Sequence, residues 1–223
     1  MLVTAHTGSG KTVLAEIAIH FVLHTTKKRV IFTSPIKALS NEKYFDWRKK
    51  LELFGLTNNE ELGLVTGDIK INPDGRLVIM TAEILNNMST EEQESIGLVV
   101  MDEVHWINDR DRGRVWENTL MALPKHVQVV LLSATIAQPE KFASWIENVR
   151  ERKTVAIATD YRVVPLKHYV IQDDRLHITY ENKEFNIENY RKLSESSYSP
   201  IHNLNRAISL LIEKDKAPVI FFC

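Results

Sequence analysis

Apolar positions fall into two kinds of segment that alternate along the chain. Short runs rich in aliphatic and β-branched residues predict strands at Leu2 to Thr4, Arg29 to Thr33, Leu62 to Val65, Leu77 to Met80, Ile96 to Met101 and Val127 to Leu132. The run Ile96 to Met101 is almost unbroken, as expected of a strand buried on both faces. Between these runs lie stretches with helical spacing. They are Lys11 to Thr25, with Leu14, Ile17, Ala18, Phe21 and Val22 on the repeat, then Lys37 to Phe54, Gly113 to Leu123 before Pro124, and Pro139 to Val149. Alternation of this kind predicts an α/β fold with a parallel sheet and helices on both faces. Such sheets bind ligands beyond the carboxyl ends of their strands, where the candidate chemistry of this chain also falls.

After about Thr159 the pattern changes. Tyr161 to Ile171 is extended around Pro165, and Arg175 to Glu184 is a polar strand or hairpin. Asn186 to Ser197 has helical character, Leu204 to Glu213 is a helix, and Pro218 to Phe222 starts a strand. The expectation is one nearly complete domain over 1–159, a connector over 160–202 and the opening of a second domain over 203–223.

Bulk properties narrow the picture modestly. The 223 residues suit one domain with a sizeable core, or one domain and part of another. The formal net charge of -1 means that any nucleic-acid surface must be a local arrangement of Lys and Arg. The single cysteine, Cys223, excludes a disulfide within the chain and suits a reducing, intracellular compartment, nucleus or cytoplasm being left open. Val13 to Leu23 is interrupted by Glu16 and His20, too short and too polar to span a bilayer, so no membrane partner is expected.

Ala5-His6-Thr7-Gly8-Ser9-Gly10-Lys11-Thr12 follows a strand and opens a helix, the setting of a phosphate-binding loop. A helix N-terminus presents unpaired N–H groups and partial positive charge. Gly8 and Gly10 let the backbone curl tightly, Thr7 and Ser9 complete the cradle, Lys11 reaches the β and γ phosphates, and the Thr12 hydroxyl suits magnesium (Mg2+). Downstream, the buried run ends in Asp102 and Glu103, followed by Val104 and His105. Asp102 suits the Mg2+ water shell, Glu103 the attacking water, and His105 a coupling role between nucleotide and a second lobe. Taken alone, the first string could be a Gly-rich turn and the second a pair of solvated acids.

The order phosphate loop, then Asp-Glu-Val-His, then Ser133-Ala134-Thr135 resembles superfamily 2 helicases. Longer strings resemble the superkiller-type and exosome-associated DExH-box (DEVH) RNA helicases: Ser34 to Tyr44, Gly63 to Asp74, Met80 to Leu85, Asp109 to Trp116 and Thr159 to Tyr169. That resemblance implies a RecA-like P-loop domain and the start of a second, ATP and Mg2+ as cofactors, and a monomer that unwinds RNA in 3′-to-5′ direction. It implies Lys11, Asp102, Glu103 and His105 as the catalytic set, and a single-stranded RNA track of Ser34, Pro35, Lys37, Asn41, Gly67, Asp68, Thr81 and Glu83. Ser133, Ala134 and Thr135 would couple ATP state to strand separation, and an exosome-type RNA-decay complex would be a partner.

Ala5 stands where the loop pattern usually has Gly, Asn118 where the family often has Glu, and Ile136-Ala137-Gln138 where it more often has Pro-Asn. The family's adenine-contacting segment and its arginine-finger lobe are not represented, so these residues alone are expected to bind ATP weakly and turn it over poorly. A superfamily 2 DNA helicase and a non-catalytic fragment that binds nucleic acid or a partner stay open as alternatives.

Overall fold

Side-chain alternation within the strands sorts the core into two layers. Val3, Val30, Phe32, Leu77, Ile79, Leu98, Val100, Val130 and Leu132 point to one face of the sheet; their neighbours Leu2, Ile31, Val78, Met80, Val99, Met101 and Leu131 point to the other. Each face is buried, which is why the strands read as continuous apolar runs. The computed structural model describes residues 1–162, 164–172, 175–181, 184–188 and 200–214. The chain divides into two units, Met1–Tyr161 and Arg162–Cys223.

The first unit is built on β1 (Leu2–Thr4), β2 (Arg29–Ser34), β3 (Leu62–Val65), β4 (Lys70–Ile71), β5 (Leu77–Thr81), β6 (Ile96–Met101), β7 (Gln128–Ser133) and β8 (Ala156–Ala158). They form one eight-stranded sheet in the order β4-β3-β5-β2-β6-β7-β1-β8. All pairings are parallel except β3 with β4. Helices α1 (Lys11–Thr25) and α2 (Lys37–Arg48) pack on the first layer. Helices α3 (Ala82–Asn86), α5 (Gly113–Ala122) and α6 (Pro139–Arg150) pack on the second, and α4 (Thr90–Glu94) precedes β6.

Two expectations are corrected here. Helix α2 ends at Arg48 rather than Phe54, because Lys50 leaves helical geometry (φ -133, ψ 34) and a 3-10 turn, Leu51–Phe54, follows. A straight helix would carry position 54 about 10 Å past position 47. The break instead folds Phe54 back to 5.0 Å from the Trp47 ring, which also packs edge-on against Phe32 at 4.8 Å. In α1 the buried residues are Ala15, Ile19, Val22 and Leu23, while Leu14, Ile17 and Phe21 of the expected stripe are exposed. The helix is apolar nearly all round, so its spacing does not single out the packed face.

The second unit contains β9 (His168–Gln172), β10 (Arg175–Glu181) and β11 (Glu184–Phe185), an antiparallel sheet in the order β11-β10-β9. An amphipathic helix, Pro200–Glu213, follows, starting earlier than the expected Leu204. Most of the expected helix Asn186 to Ser197 and all of the expected strand Pro218 to Phe222 lie outside the described residues. Among the described residues no helix is long and apolar enough to cross a membrane.

Candidate nucleotide and nucleic-acid site

The carboxyl ends of β1, β7 and β6 carry the phosphate loop, Ser133-Ala134-Thr135 and Asp102-Glu103 respectively. Only β7 separates β1 from β6. Two strand spacings, about 10 Å, therefore lie between the loop and the carboxylates, room for a magnesium-bound phosphate chain. The loop is also stitched to β7 directly, the Ala5 N–H donating to the Ser133 carbonyl at 3.2 Å.

Gly8 (φ 79) and Gly10 (φ 83) both hold left-handed backbone, and Gly10 caps α1. No side chain caps that helix, so its first N–H groups are left for another acceptor. Lys11 curls over the loop and donates to the Ala5 carbonyl at 2.7 Å and the His6 carbonyl at 3.0 Å. Thr7, Gly8, Ser9 and Gly10 are exposed, and Thr12 is half-buried at the start of α1.

Glu103 is a non-glycine residue at φ 54, ψ 42. That left-handed turn stops the alternation of the strand and lets consecutive carboxylates share one end of the sheet. Asp102 is fixed by its N–H donating to the Thr33 carbonyl at 2.9 Å, and its Oδ1 accepts from the Glu103 N–H at 3.0 Å. Burial pushes the Asp102 carboxyl above its usual range and the Glu103 charge adds to this; Lys43 and Lys11 act in the opposite sense. A divalent cation would relieve the same burden. Among the described residues no cluster of three or more His, Cys, Asp or Glu could hold a metal alone. The donor set instead fits magnesium shared between Thr12, Asp102 and phosphate oxygens.

A 3-10 turn, Val104–Asn108, follows Glu103. His105 Nδ1 lies 3.3 Å from Glu103 Oε2 without hydrogen-bond geometry. His105 also lines a cavity of about 230 Å³ with Ile107, Asn108, Ile136, Ala137, Gln138 and Phe142, which brings the 3-10 turn against the segment after Ser-Ala-Thr. Ser133 is fully buried and its Oγ has no partner, Ala134 is half-buried, and Thr135 is exposed.

The remaining expected residues gather at the carboxyl ends of β2, β5 and β3, the other half of the same sheet edge. Ser34 and Thr81 end paired strands in register and are buried, as is Pro35. Lys37 opens α2 and bridges to Asp68 at 2.6 Å, beside exposed Gly67. Thr66 holds that loop, its Oγ1 accepting from the Ile69 N–H at 3.2 Å. Asn41 Oδ1 is buried and unpartnered.

Glu83 Oε1 accepts from Arg112 Nε at 3.1 Å and Nη2 at 2.5 Å. Burial alone would raise the Glu83 carboxyl, but the hydrogen bonds from Arg112, from its own backbone and from Thr81 outweigh it and hold the group below its usual range. Sequence pattern does not single out Arg112 or Lys43. Both lie inside strings that carry the family resemblance, and their roles depend on partners far along the chain.

Residues 1–142 match the DEAD/DEAH box helicase family. The exosome RNA helicase MTR4 of Homo sapiens is 39% identical over 245 residues, covering 100% of this chain and 23% of that protein. The antiviral helicase SKI2 of Saccharomyces cerevisiae is 40% identical over 199 residues, covering 87% of this chain and 15% of that protein. Among solved structures, the Mycobacterium smegmatis helicase Lhr bound to ssDNA and AMP-PNP is 27% identical with a TM-score of 0.57, covering 73% of this chain and 24% of that one. The chain thus spans less than a quarter of the length of each of these relatives. Family match, relatives and sheet-edge geometry agree: this chain belongs to the DEAD/DEAH box helicases.

Proposed function

We propose that the chain is the first nucleotide-binding lobe of an ATP-dependent RNA helicase of RNA processing or decay. The observation that carries this reading is that the phosphate loop, the Asp102-Glu103 pair and Ser133 converge on three neighbouring strand ends. The Lys37, Asn41 and Gly67-Asp68 group sits on the other half of the same edge. Bound ATP would take its phosphates in the loop N–H groups, with Lys11 turning from the Ala5 and His6 carbonyls to the phosphate oxygens. Mg2+ would supply charge neutralisation, held by Thr12 and Asp102. Glu103 would orient the attacking water, and His105 would report nucleotide state toward a second lobe. Exposed Lys37 and loop N–H groups would hold a single strand by its backbone, contacts that carry no base information. The MTR4 and SKI2 relatives support RNA and an exosome-type partner; a monomeric lobe in an intracellular setting belongs to the same proposal. In this reading 160–202 is a connector and 203–223 begins a second RecA-like domain.

The test is binding of a fluorescent ATP analogue with magnesium. Lys11→Ala should weaken it at least about tenfold, some 1.4 kcal/mol. Glu103→Gln should retain it while abolishing turnover in any assembly that turns over. Equal binding by the Lys11→Ala chain refutes the site. The ssDNA in the Lhr structure favours a second reading, a DNA helicase lobe. Competition between oligouridylate and oligothymidylate decides between them.

A further inference from the structure

We propose that Arg112 is a positioning residue that ties the turn behind the Asp102-Glu103 carboxylates to the strand-end track, through Trp106 on one side and Glu83 on the other. This rests on the nucleotide and single-strand reading above.

The connection is continuous on the nucleotide side. The Trp106 N–H donates to the Glu103 carbonyl at 3.0 Å, so the 3-10 turn starts on the residue assigned to the water. The Arg112 guanidinium lies over the Trp106 ring, 5.8 Å from its centroid. Asp109 fixes the segment between them. Its Oδ1 accepts from the Asp111 N–H at 3.1 Å and the Arg112 N–H at 2.8 Å, and its carbonyl accepts from Gly113 at 3.0 Å. Gly113 lies so close to the turn that a Cβ there would meet the Ile107 carbonyl oxygen at 2.2 Å. The turn and the start of α5 therefore move together.

On the other side the same guanidinium donates twice to Glu83, in the first turn of α3. Glu83 stands two residues after Thr81, the last residue of β5, in register with Ser34 at the end of β2. A carboxylate occupied by Arg112 is poorly suited to meet a polyanion. Glu83 supports the track from behind. Both side chains of the ion pair are more than one-third exposed, so the pair contributes little to stability. What arginine supplies is geometry. A planar fork grips one carboxylate with two N–H groups while its face lies on an indole, which a lysine ammonium does not do.

The test uses 5-fluorotryptophan in the full chain, whose tryptophans are Trp47, Trp106, Trp116 and Trp145. The Trp106 resonance is assigned with Trp106→Phe, and single-stranded oligouridylate is titrated in. In the unmodified chain the Trp106 resonance should move on RNA binding. Arg112→Gln should lose that response while RNA affinity changes by less than about threefold, and Arg112→Lys should recover at most half of it. Glu83→Gln keeps side-chain size, should also lose the response, and guards against a folding defect at Arg112. A full response in both Arg112→Gln and Glu83→Gln overturns the relay and leaves the RNA reading intact. So does an unmodified chain that binds RNA with no Trp106 response. No RNA binding by the unmodified chain overturns the underlying reading and the relay with it.

Discussion

Replacing Glu103 by glycine should stabilise the chain relative to replacing it by alanine, the reverse of the usual order. In ordinary strand or helix backbone, alanine is favoured over glycine by about 0.5–1 kcal/mol, because glycine loses more freedom on folding. Residue 103 sits at φ 54, ψ 42. There a Cβ costs about 1–2 kcal/mol that glycine avoids. Set against the extra entropy lost by glycine, this leaves Glu103→Gly ahead of Glu103→Ala by on the order of 1 kcal/mol. For a chain of this size that corresponds to about 2–4 °C in Tm. Both variants lose the same carboxylate and the same charge beside Asp102, so those effects cancel in the comparison. Thermal unfolding followed by circular dichroism at neutral pH reads the difference. A glycine variant melting at or below the alanine variant would refute the strained turn. With it would go the account of how adjacent residues at a strand end both reach the site.

Other substitutions test the frame and its electrostatics. The folded-state pKa of Asp102 is raised, so folding favours its protonated form. Asp102→Asn should therefore raise Tm at pH 7, and the gain should shrink as the pH falls through the raised value toward the unfolded one; a variant less stable at pH 7 contradicts the burial argument. Arg150 donates to the carbonyls of Leu120, Leu123, Pro124 and Val127, closing the α5–β7 connection. Arg150→Met should cost about 3–5 kcal/mol in urea unfolding, since buried carbonyls lose their donor. Trp47 is fully buried and its Nε1 donates to Glu16 at 2.8 Å. Trp47→Phe should cost about 2–3 kcal/mol, combining a lost hydrogen bond with a partly filled cavity, and a cost under about 1 kcal/mol would contradict that packing.

The central strands were legible because burial on both faces leaves an unbroken apolar run, and the phosphate loop because glycine, lysine and threonine must stand at fixed spacing. The contact face of α1 was not, since Val13, Ile17 and Phe21 are as apolar as the residues that pack. The break after Arg48 depends on Trp47 and Phe54 meeting, which no local pattern encodes. β4 and β8 are short edge strands, and β4 lies back on β3 through the Thr66 to Ile69 turn, with Asn72 at φ 41 ending it. Helix α4 did carry a local signal, the capping box of Ser89 and Glu92. At the site, residue types announced the nucleotide half. The support that Arg112 gives Glu83 spans 29 positions and needed three dimensions to be seen.

The Lys37–Asp68 bridge has a consequence for how polyanion binding would respond to salt. Each lysine that neutralises a phosphate normally expels a condensed counterion, and the salt dependence of affinity counts those ions. Lys37 already carries an internal counter-charge at 2.6 Å. A phosphate reaching it either shares the ammonium with Asp68 or displaces that carboxylate into water. In either case the salt slope should undercount the cations in contact, and Asp68→Asn should steepen it.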